Sequence, residues 1–219
     1  MRMEYESGRR KRRQLPCGCQ GERRPLRKKA QGEGPAGAKL ELHPLLNRWA
    51  LWFFKNDRSW AWEDSLHLVT KSDTVEDFWA MYSHIQLASK LSSSCDYALF
   101  KDGIEPMWED SRNKRGGRWL VSLTKQQCHS ELDCLWLETL LRLIVESFEE
   151  HSRGCHQHPS QGDKTAVWTR AAENQEGVLH TGRVYKERLG LSTKMVTGSQ
   201  AHADTATKSN SLAKNKFVM

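Results

Sequence analysis

The segment LNRWALWFFK, residues 46–55, is rich in aromatic side chains and predicts a β-strand near the start of a folded domain. Working outward, residues 65–70 (SLHLVT) alternate between polar and apolar side chains and predict a second strand. A helix is expected over about 74–86, because Asp73 followed by Glu76 resembles a capping arrangement at a helix N-terminus. Strands and a helix therefore follow one another with short connections.

The rest of the chain continues this mixture. A strong helical pattern covers about 130–149, where the apolar residues at helical spacing are Leu132, Leu135, Trp136, Leu140, Leu143 and Ile144. The other predicted elements are strands at 96–101, 118–124, 164–169 and 194–200, a helix at about 174–188 and a long loop at 103–117. Most connections are too short for crossovers between parallel strands. We therefore predict an α+β fold, a curved, largely antiparallel β-sheet with helices on one face.

Positive charge is concentrated at the N-terminus. Twelve Lys/Arg and four Asp/Glu give residues 1–40 a net charge of +8, so the whole-chain charge of +7 leaves the other 179 residues at −1. We predict a disordered basic tail over 1–41 and a folded binding domain over 42–219, with a polar loop or tail at 203–219. A nearly neutral domain would recognise nucleic acid through a specific pocket rather than by bulk charge.

The predicted cellular location depends on two sequence features that are absent, a membrane-spanning segment and a signal peptide. No run of 18 uncharged apolar residues and no signal-peptide pattern is present, so we expect an intracellular, cytoplasmic protein. The run Gly8–Arg13 could act as a nuclear localisation signal, as an RNA-binding arm or simply as a solvated charged tail. The first of these would add a nuclear population.

The cysteines give no sign of a disulfide framework or a metal site. The six thiols suggest free cysteines in an intracellular setting. Cys155, His156 and His158 are close in sequence but lack a fourth ligand at typical spacing, and no group is evident that would orient a Cys/His nucleophile. We expect no metal, no cofactor and no enzymatic activity.

Tryptophan is unusually frequent, with nine in the chain, and four residues suggest a binding site. Trp62 and Trp108 lie in or beside predicted loops, and an exposed pair of indoles can sandwich a flat cationic ring. Glu109, next to Trp108, could accept hydrogen bonds from N1–H and the N2 amino group of guanine. Together with Trp168, this set predicts binding of the positively charged 7-methylguanosine cap of mRNA. The alternative for each tryptophan alone is an ordinary place in the core.

Long stretches of the chain resemble one family. These are HPLLNRWALWFFKND (43–57), DTVEDFWAMYSHIQL (73–87), DYALFKDGIEPMWED (96–110), NKRGGRWL (113–120), LWLETLLRLI (135–144), GRVYKERLGL (182–191) and HADTATKS (202–209). Together they resemble the eukaryotic translation initiation factor 4E family over about 43–219. These stretches most resemble vertebrate class 1 members, and the C-terminal sequence SNSLAKNKFV is similar to the germ-line-enriched 1B-type branch. The resemblance implies a curved eight-stranded antiparallel sheet backed by three long helices on its convex face.

The resemblance also implies two sites. In the family, two indoles sandwich the cap, and Trp62 and Trp108 match them. Glu109 matches the carboxylate that binds the guanine edge, and Trp168 matches the indole near the methyl group. Arg118 and Lys164 match the two cations of the phosphate site. A helical surface binds the motif Tyr-x-x-x-x-Leu-apolar of initiation factor 4G and of inhibitory 4E-binding proteins; the matching residues are His43, Pro44, Val75, Trp79, Leu137, Glu138 and Leu141. Ser211 matches a regulatory phosphorylation position, although its neighbour Leu212 replaces a polar residue.

Residues 152–162, SRGCHQHPSQG, depart from the family pattern. The segment is about four residues shorter, lacks an aliphatic run and contains Pro159, so we expect a strand to be lost here. A phosphate-binding arginine also has no counterpart. Three functions stay open: a monomeric cap-binding factor that recruits initiation factor 4G within a larger complex, a cap-binding repressor that acts with an inhibitory 4E-binding partner, and a scaffold that no longer binds caps.

Overall fold

The computed structural model describes residues 41–56, 63–158, 164–189, 197–203 and 217–218. Residues 1–40 of the predicted basic tail, Trp62 and Ser211 lie outside these ranges.

Eight strands and three α-helices make up the described part of the chain. The strands are β1 (Pro44–Lys55), β2 (Leu66–Thr74), β3 (Cys95–Lys101), β4 (Gly117–Ser122), β5 (Ser152–His158), β6 (Lys164–Thr169), β7 (Thr197–Ala201) and β8 (Phe217–Val218). The helices are α1 (Val75–His84), α2 (Lys125–Ile144) and α3 (Gln175–Arg188). None of these helices is both long and apolar enough to cross a bilayer.

The strands form one sheet in the order β2-β1-β3-β5-β6-β4-β7-β8, and every neighbouring pair is antiparallel. The predicted fold class, an antiparallel sheet with three helices, is therefore confirmed. β8 is an addition, since it lies within the segment predicted to be a polar tail and pairs with β7.

The two faces of the sheet have different roles. On the helix-covered face, Trp49, Leu99 and Val167 pack with Leu140 of α2 and Tyr185 of α3 into the main core. Side chains alternate along a strand, so the neighbouring residues point the other way. There a smaller cluster forms around Ala98, Phe100, Ile104, Ala166 and Trp168. We call this second side the open face, and it carries the candidate site.

The predicted cap of α1 is wrong by one residue. Thr74 is the N-cap, and its hydroxyl accepts a hydrogen bond from the backbone N–H of Asp77 at 3.1 Å. Because α1 begins at Val75, the residue directly before it is Thr74, and Asp73 lies one position too early to cap the helix. Glu76 does not complete a capping box either, since its carboxylate binds the backbone N–H and the Nδ1 of His43, at 2.9 and 2.7 Å.

Helix α2 begins and ends earlier than the apolar pattern predicts. It stops at Ile144 because Glu146 and Glu149, just beyond it, have φ values of 53° and 54°, in the left-handed region that terminates helices. The carboxylate of Glu146 anchors this turn, accepting hydrogen bonds from Asn47 Nδ2 at 2.7 Å and Lys101 Nζ at 2.8 Å.

The expected loss of a strand within 152–162 is also wrong. Ser152–His158 forms β5 in the middle of the sheet, paired with β3 on one side and β6 on the other. The two neighbours supply complementary backbone groups, so a segment with little intrinsic strand preference still completes the ladder. Pro159 lies outside the described residues.

Glycine makes the register of β5 possible. Gly154 stands between Phe100 of β3 and Trp168 of β6. A Cβ atom at this position would lie 2.4 Å from the carbonyl oxygen of Leu99 and 2.6 Å from the Phe100 ring. The aromatic floor of the open face therefore packs directly against this backbone.

Candidate functional site

A cleft of about 440 Å³ lies on the open face, beneath the loop that joins β3 to β4. It brings together four of the residues predicted to bind the cap: Trp108, Glu109, Arg118 and Trp168. These residues come from the loop and from two neighbouring strands, β4 and β6, so the fold assembles what the sequence separates.

The loop that carries Trp108 is held by its own side chains. The Asp110 carboxylate accepts a hydrogen bond from the backbone N–H of Glu105 at 3.0 Å. The buried Asn113 amide donates to the carbonyl oxygens of Glu105 and Met107, both at 2.8 Å. Because this network fixes the loop, Trp108 stays 46% exposed at the wall of the cleft. An exposed indole on a braced loop is suited to stacking with a ligand.

Trp168 forms part of the floor and is fixed by aromatic neighbours. Its ring meets Phe100 edge to face with centroids 5.2 Å apart, and His202 at a tilt with centroids 4.2 Å apart. The side chain is only 5% exposed, and its Nε1 has no hydrogen-bond partner among the described residues. The ring therefore contributes a rigid, largely apolar surface.

Arg118 brings a positive charge to the same floor. It lies on β4 between Trp168 of β6 and Gln200 of β7, and its Nη2 donates to Gln200 Oε1 at 3.3 Å. Burial lowers its pKa, and its Nε has no hydrogen-bond partner within the described ranges. Burial, and secondly the charge of Arg118, lowers the pKa of His202 to about 4, so that imidazole is neutral at physiological pH.

The charges around the cleft favour a cationic ligand. Asp96 on β3 and Glu109 in the loop contribute two carboxylates, against the single guanidinium of Arg118 among the described lining residues. The carboxylates of the described lining thus outnumber its guanidinium by one. A flat ring that carries positive charge would be favoured over a neutral one.

One predicted residue, Lys164, is not among the described residues that line the cleft, and a second lies outside the described ranges. Trp62 lies outside the described residues. Lys164 lies on β6, opposite His158 of β5 and Ser122 of β4, and is outside the lining. Strand alternation places it on the same side of the sheet as Ala166 and Trp168.

Sequence reasoning missed three polar residues of the cleft: Asp96, His156 and His202. The sequence pattern drew attention to His156 only beside Cys155, as a metal ligand or as part of a Cys/His nucleophile. The two are adjacent on β5 and face opposite sides, with Cys155 fully buried in the main core. Burial raises the pKa of the Cys155 thiol. These two side chains cannot converge on one ion, and the described residues contain no group of three His, Cys, Asp or Glu suited to a metal.

The residues predicted to bind a partner peptide lie on α1, on α2 and just before β1. His43 is tied to α1, because its carbonyl oxygen accepts from Val75 N–H at 2.8 Å, and Pro44 begins β1. Trp79 of α1 is 42% exposed. On α2, Leu137 and Leu141 are partly buried and pack against the main core. Between them in sequence, Oε2 of Glu138 lies 3.5 Å from Nη2 of Arg142. The three predicted residues of this helix therefore lie within one short stretch of it.

Both helices that carry this surface pack against the main core, α1 through Phe78 and Tyr82 and α2 through Leu140. Burial, and secondly the charge of Asp133 on α2, raises the pKa of Tyr82. The Tyr82 ring meets Trp79 edge on, with centroids 6.1 Å apart. The exposed indole is therefore supported by an aromatic ring that packs on the core.

Comparison with known proteins agrees with this architecture. The family model for eukaryotic initiation factor 4E matches residues 44–217. Human eukaryotic translation initiation factor 4E type 1B is 78% identical over 198 residues, which are 89% of this chain and 82% of that protein. The 1B-type resemblance predicted from the C-terminal ending is therefore confirmed.

Solved structures of the same fold include complexes. Ascaris suum eIF4E-3 with the m7G cap has a TM-score of 0.76 and 43% identity, covering 82% of this chain and 98% of its own. A schistosome eIF4E complexed with m7GpppA and 4E-BP has a TM-score of 0.74 and 30% identity, covering 81% and 99%. With a family model over residues 44–217 and a relative at 78% identity, the chain belongs to the eukaryotic initiation factor 4E family.

Proposed function

We propose that this protein binds the 7-methylguanosine cap of mRNA in the open-face cleft, recruits initiation factor 4G through the surface around Trp79, and acts as a binding factor in translation initiation rather than as an enzyme. One observation carries the proposal. Trp108, Glu109, Arg118 and Trp168, which are far apart in sequence, line a single cleft.

The base of the cap would be recognised by its charge and its edge. Methylation at N7 gives guanine a delocalised positive charge, and stacking on the exposed Trp108 indole would add a cation–π attraction of about 0.5–2 kcal/mol. Trp62 is proposed to provide the second ring of the sandwich. The Glu109 carboxylate would accept hydrogen bonds from N1–H and the N2 amino group, a pair of donors that guanine presents and adenine lacks.

The phosphates would be held by cations. Arg118 is half-buried, which strengthens its attraction for an anion because less water screens the charge. Lys164, further along the same side of the sheet, would bind the outer phosphates. Trp168 would pack against the methyl group from the floor of the cleft.

Structural neighbours support both surfaces. The Ascaris suum protein was solved with a cap, and the schistosome protein with a cap and 4E-BP together. A repressor that acts with a 4E-binding protein would use the same two surfaces, so the bound partner decides between activation and repression. A scaffold without cap binding is less well supported, because β5 is present and the cleft retains its described members.

The two surfaces can be tested with a matched pair of substitutions. Trp108 and Trp79 are similarly exposed, at 46% and 42%, so truncating either should affect stability to a similar, small extent. Trp108→Ala should abolish retention on 7-methyl-GTP resin and leave binding of a 4G peptide intact. Trp79→Ala should do the reverse.

The contrary results are equally specific. Retention of Trp108→Ala on the resin would refute the cleft assignment. Loss of both activities in either variant would indicate a folding defect rather than a separated site. Competition between a 4G peptide and a 4E-BP peptide for the wild-type chain would then show which kind of partner binds more tightly.

The cellular location remains part of the proposal. We place the protein in the cytoplasm, with a nuclear fraction if the basic run Gly8–Arg13 is recognised by nuclear import. Imaging a fluorescently tagged chain with and without Ala substitutions in that run tests this. An unchanged distribution would argue that the run is only a charged tail.

A further inference from the structure

A second groove, of about 570 Å³, lies where β1 begins and α2 ends. Its lining includes Leu46 and Asn47 of β1, Glu146 just beyond α2, Arg153 of β5 and Arg170 just beyond β6. None of these five residues is among those that line the cleft proposed to bind the cap. The groove is therefore a surface distinct from the cleft.

Arg153 is a cation of this groove that has no anion beside it. The side chain is half-buried, and its buried Nε has no hydrogen-bond partner among the described residues, none of whose carboxylates forms an ion pair with it. Burial, followed by the charges of Arg170 and Arg112, lowers the pKa of Arg153. A half-buried guanidinium near other cations is costly without an anion. Arg153 is therefore suited to bind an oxyanion of a ligand.

The three glutamates in the described lining of the groove already face nitrogen atoms of the protein. The pairs are Glu146 with Lys101 at 2.8 Å, Glu150 with Arg170 at 3.4 Å, and Glu149 with the Nε2 atoms of His151 and His180 at 3.8 and 3.7 Å. Glu149 and Glu150 are also mostly exposed, so water screens their charge. An incoming carboxylate would therefore meet little repulsion at Arg153.

The groove also offers an apolar contact. Leu46 is 81% exposed, the highest value among the large apolar side chains in the described part of the chain. An apolar side chain in water beside an unpaired guanidinium fits a ligand that carries an apolar group and an anion close together. A polypeptide with leucine and glutamate side chains has both, whereas the phosphate backbone of RNA supplies the anion without an aliphatic group.

The groove continues the surface that is proposed to bind a partner helix. The backbone N–H of Val145 donates to the carbonyl oxygen of Leu141 at 3.1 Å, so Val145 lies one turn beyond Leu141, and it is 62% exposed. The next residue, Glu146, accepts a hydrogen bond from Asn47 Nδ2 at 2.7 Å and so connects the end of α2 to β1. A polypeptide that leaves the Trp79 surface along α2 would therefore reach the groove within a few residues.

We propose that the groove beside Arg153 binds an acidic, leucine-containing segment of the partner protein that flanks its Tyr-x-x-x-x-Leu-apolar motif, with a carboxylate on Arg153 and a leucine on Leu46. This inference rests on the proposed recruitment of a partner through the Trp79 surface. It gives the segment 152–158, which departs from the family pattern, a role in the choice among partners, because only a partner with such a flank gains the additional contacts.

The test measures binding of labelled synthetic peptides to the full-length chain by fluorescence anisotropy. One peptide carries the motif alone, and the others add Leu-Glu-Glu-Leu or Leu-Gln-Gln-Leu through a linker of about six residues, at either end of the motif. At one of the two ends, we expect the glutamate flank to bind wild type roughly three- to tenfold more tightly than the glutamine flank, since a carboxylate forms a charge-assisted hydrogen bond with the guanidinium. Arg153→Gln should reduce this ratio to about one.

Arg115→Gln is the matched control, because Arg115 is an exposed arginine, paired with Glu173 at 3.7 Å, and does not line the groove. It should keep the wild-type ratio. Leu46→Ser should weaken the glutamate-flanked and glutamine-flanked peptides equally, since both retain the leucines. A wild-type ratio of about one at both ends, or a ratio that survives in Arg153→Gln, would overturn the proposal. Unchanged binding of both flanked peptides by Leu46→Ser would overturn the apolar contact.

Capped RNA is the competing occupant, and the same variant tests it. We expect Arg153→Gln to bind 7-methyl-GTP and a capped oligonucleotide of about ten nucleotides as tightly as wild type does. Weaker binding of the oligonucleotide alone would assign the groove to RNA and overturn the proposal. Equal binding of 7-methyl-GTP also shows that the variant is folded.

Failure of this inference is distinguishable from failure of the proposed function. If the motif peptide binds wild type but not Trp79→Ala, the partner surface is correct, and the flanks then decide the groove alone. If the motif peptide does not bind wild type, the proposed recruitment of a partner is refuted, and the inference that rests on it is refuted as well.

Discussion

Gly154→Ala should destabilise the protein strongly, because this glycine lies where β5 meets the aromatic floor of the cleft. The new Cβ would lie 2.4 Å from the Leu99 carbonyl oxygen and 2.6 and 2.8 Å from two Phe100 ring atoms. An ordinary contact needs at least about 3.4 Å, so β5 would have to move away from β3 by roughly 1 Å. Overpacking costs about 1–3 kcal/mol, and one or two weakened ladder hydrogen bonds add about 0.5–1.5 kcal/mol each.

The gain in backbone entropy from replacing glycine offsets up to about 1 kcal/mol, which leaves a net loss near 3 kcal/mol. For a domain of this size, that lowers the melting temperature by about 6–12 °C. Thermal and urea unfolding, followed by circular dichroism, would measure it. Such a loss is a large fraction of the stability of a typical domain.

Gly177→Ala is the matched control. Its Cβ would meet side-chain atoms of His151 and Asn174, at 2.7 and 3.0 Å, which can move, and alanine favours the helix by up to about 1 kcal/mol. We expect stability within about 1 kcal/mol of wild type. If Gly154→Ala proved as stable as this control, Ser152–His158 could not be the central strand described above, and the location of His156 in the cleft would be wrong as well.

Three further substitutions test separate parts of the structure. Gln157→Leu should raise the free energy of unfolding by about 1–3 kcal/mol in urea titrations, because the fully buried amide has no hydrogen-bond partner among the described residues; a loss of stability would contradict this. His202 has a pKa of about 4 when folded and its ordinary higher value when unfolded, so the unfolded chain takes up the proton first and stability should fall by roughly 2–3 kcal/mol between about pH 6.5 and about pH 4. His202→Gln should flatten that pH dependence, and an unchanged slope would refute the assignment. Thr74→Ala should cost about 1 kcal/mol by removing the cap of α1, whereas Asp73→Ala, its neighbour outside the helix, should be nearly neutral.

Local sequence pattern predicted those strands and helices whose own residues have a strong preference for that secondary structure. The aromatic run in β1 and the apolar stripe of α2 each bury a large surface, so the pattern and the packing agree. The strand β5 could not be predicted in this way. Its residues include a glycine, a glutamine and two histidines, and it pairs with β3 on one side and with β6 on the other, so its place depends on partners that are distant in sequence.

Some residues of the candidate site could likewise be predicted from local sequence, and others could not. Trp108 and Glu109 are adjacent in sequence and share a loop, so a local motif could indicate them. Trp168 entered the predicted set as one of the nine tryptophans, and the family resemblance supplied its role and added Arg118. Asp96 and His156 come from strands that are sixty residues apart in sequence. Their meeting depends on which strands pair and on which face each residue points to, and neither follows from local pattern.

The central claim is that the cleft distinguishes a methylated, cationic guanine from an ordinary one. The most direct test is tryptophan fluorescence of the wild-type chain, titrated in parallel with 7-methyl-GTP and with GTP. We expect quenching by 7-methyl-GTP at micromolar or lower concentration, with GTP at least roughly 100-fold weaker, because only the methylated base gains the cation–π attraction. Equal affinity for the two ligands, or no quenching by either in a chain shown to be folded, would contradict it.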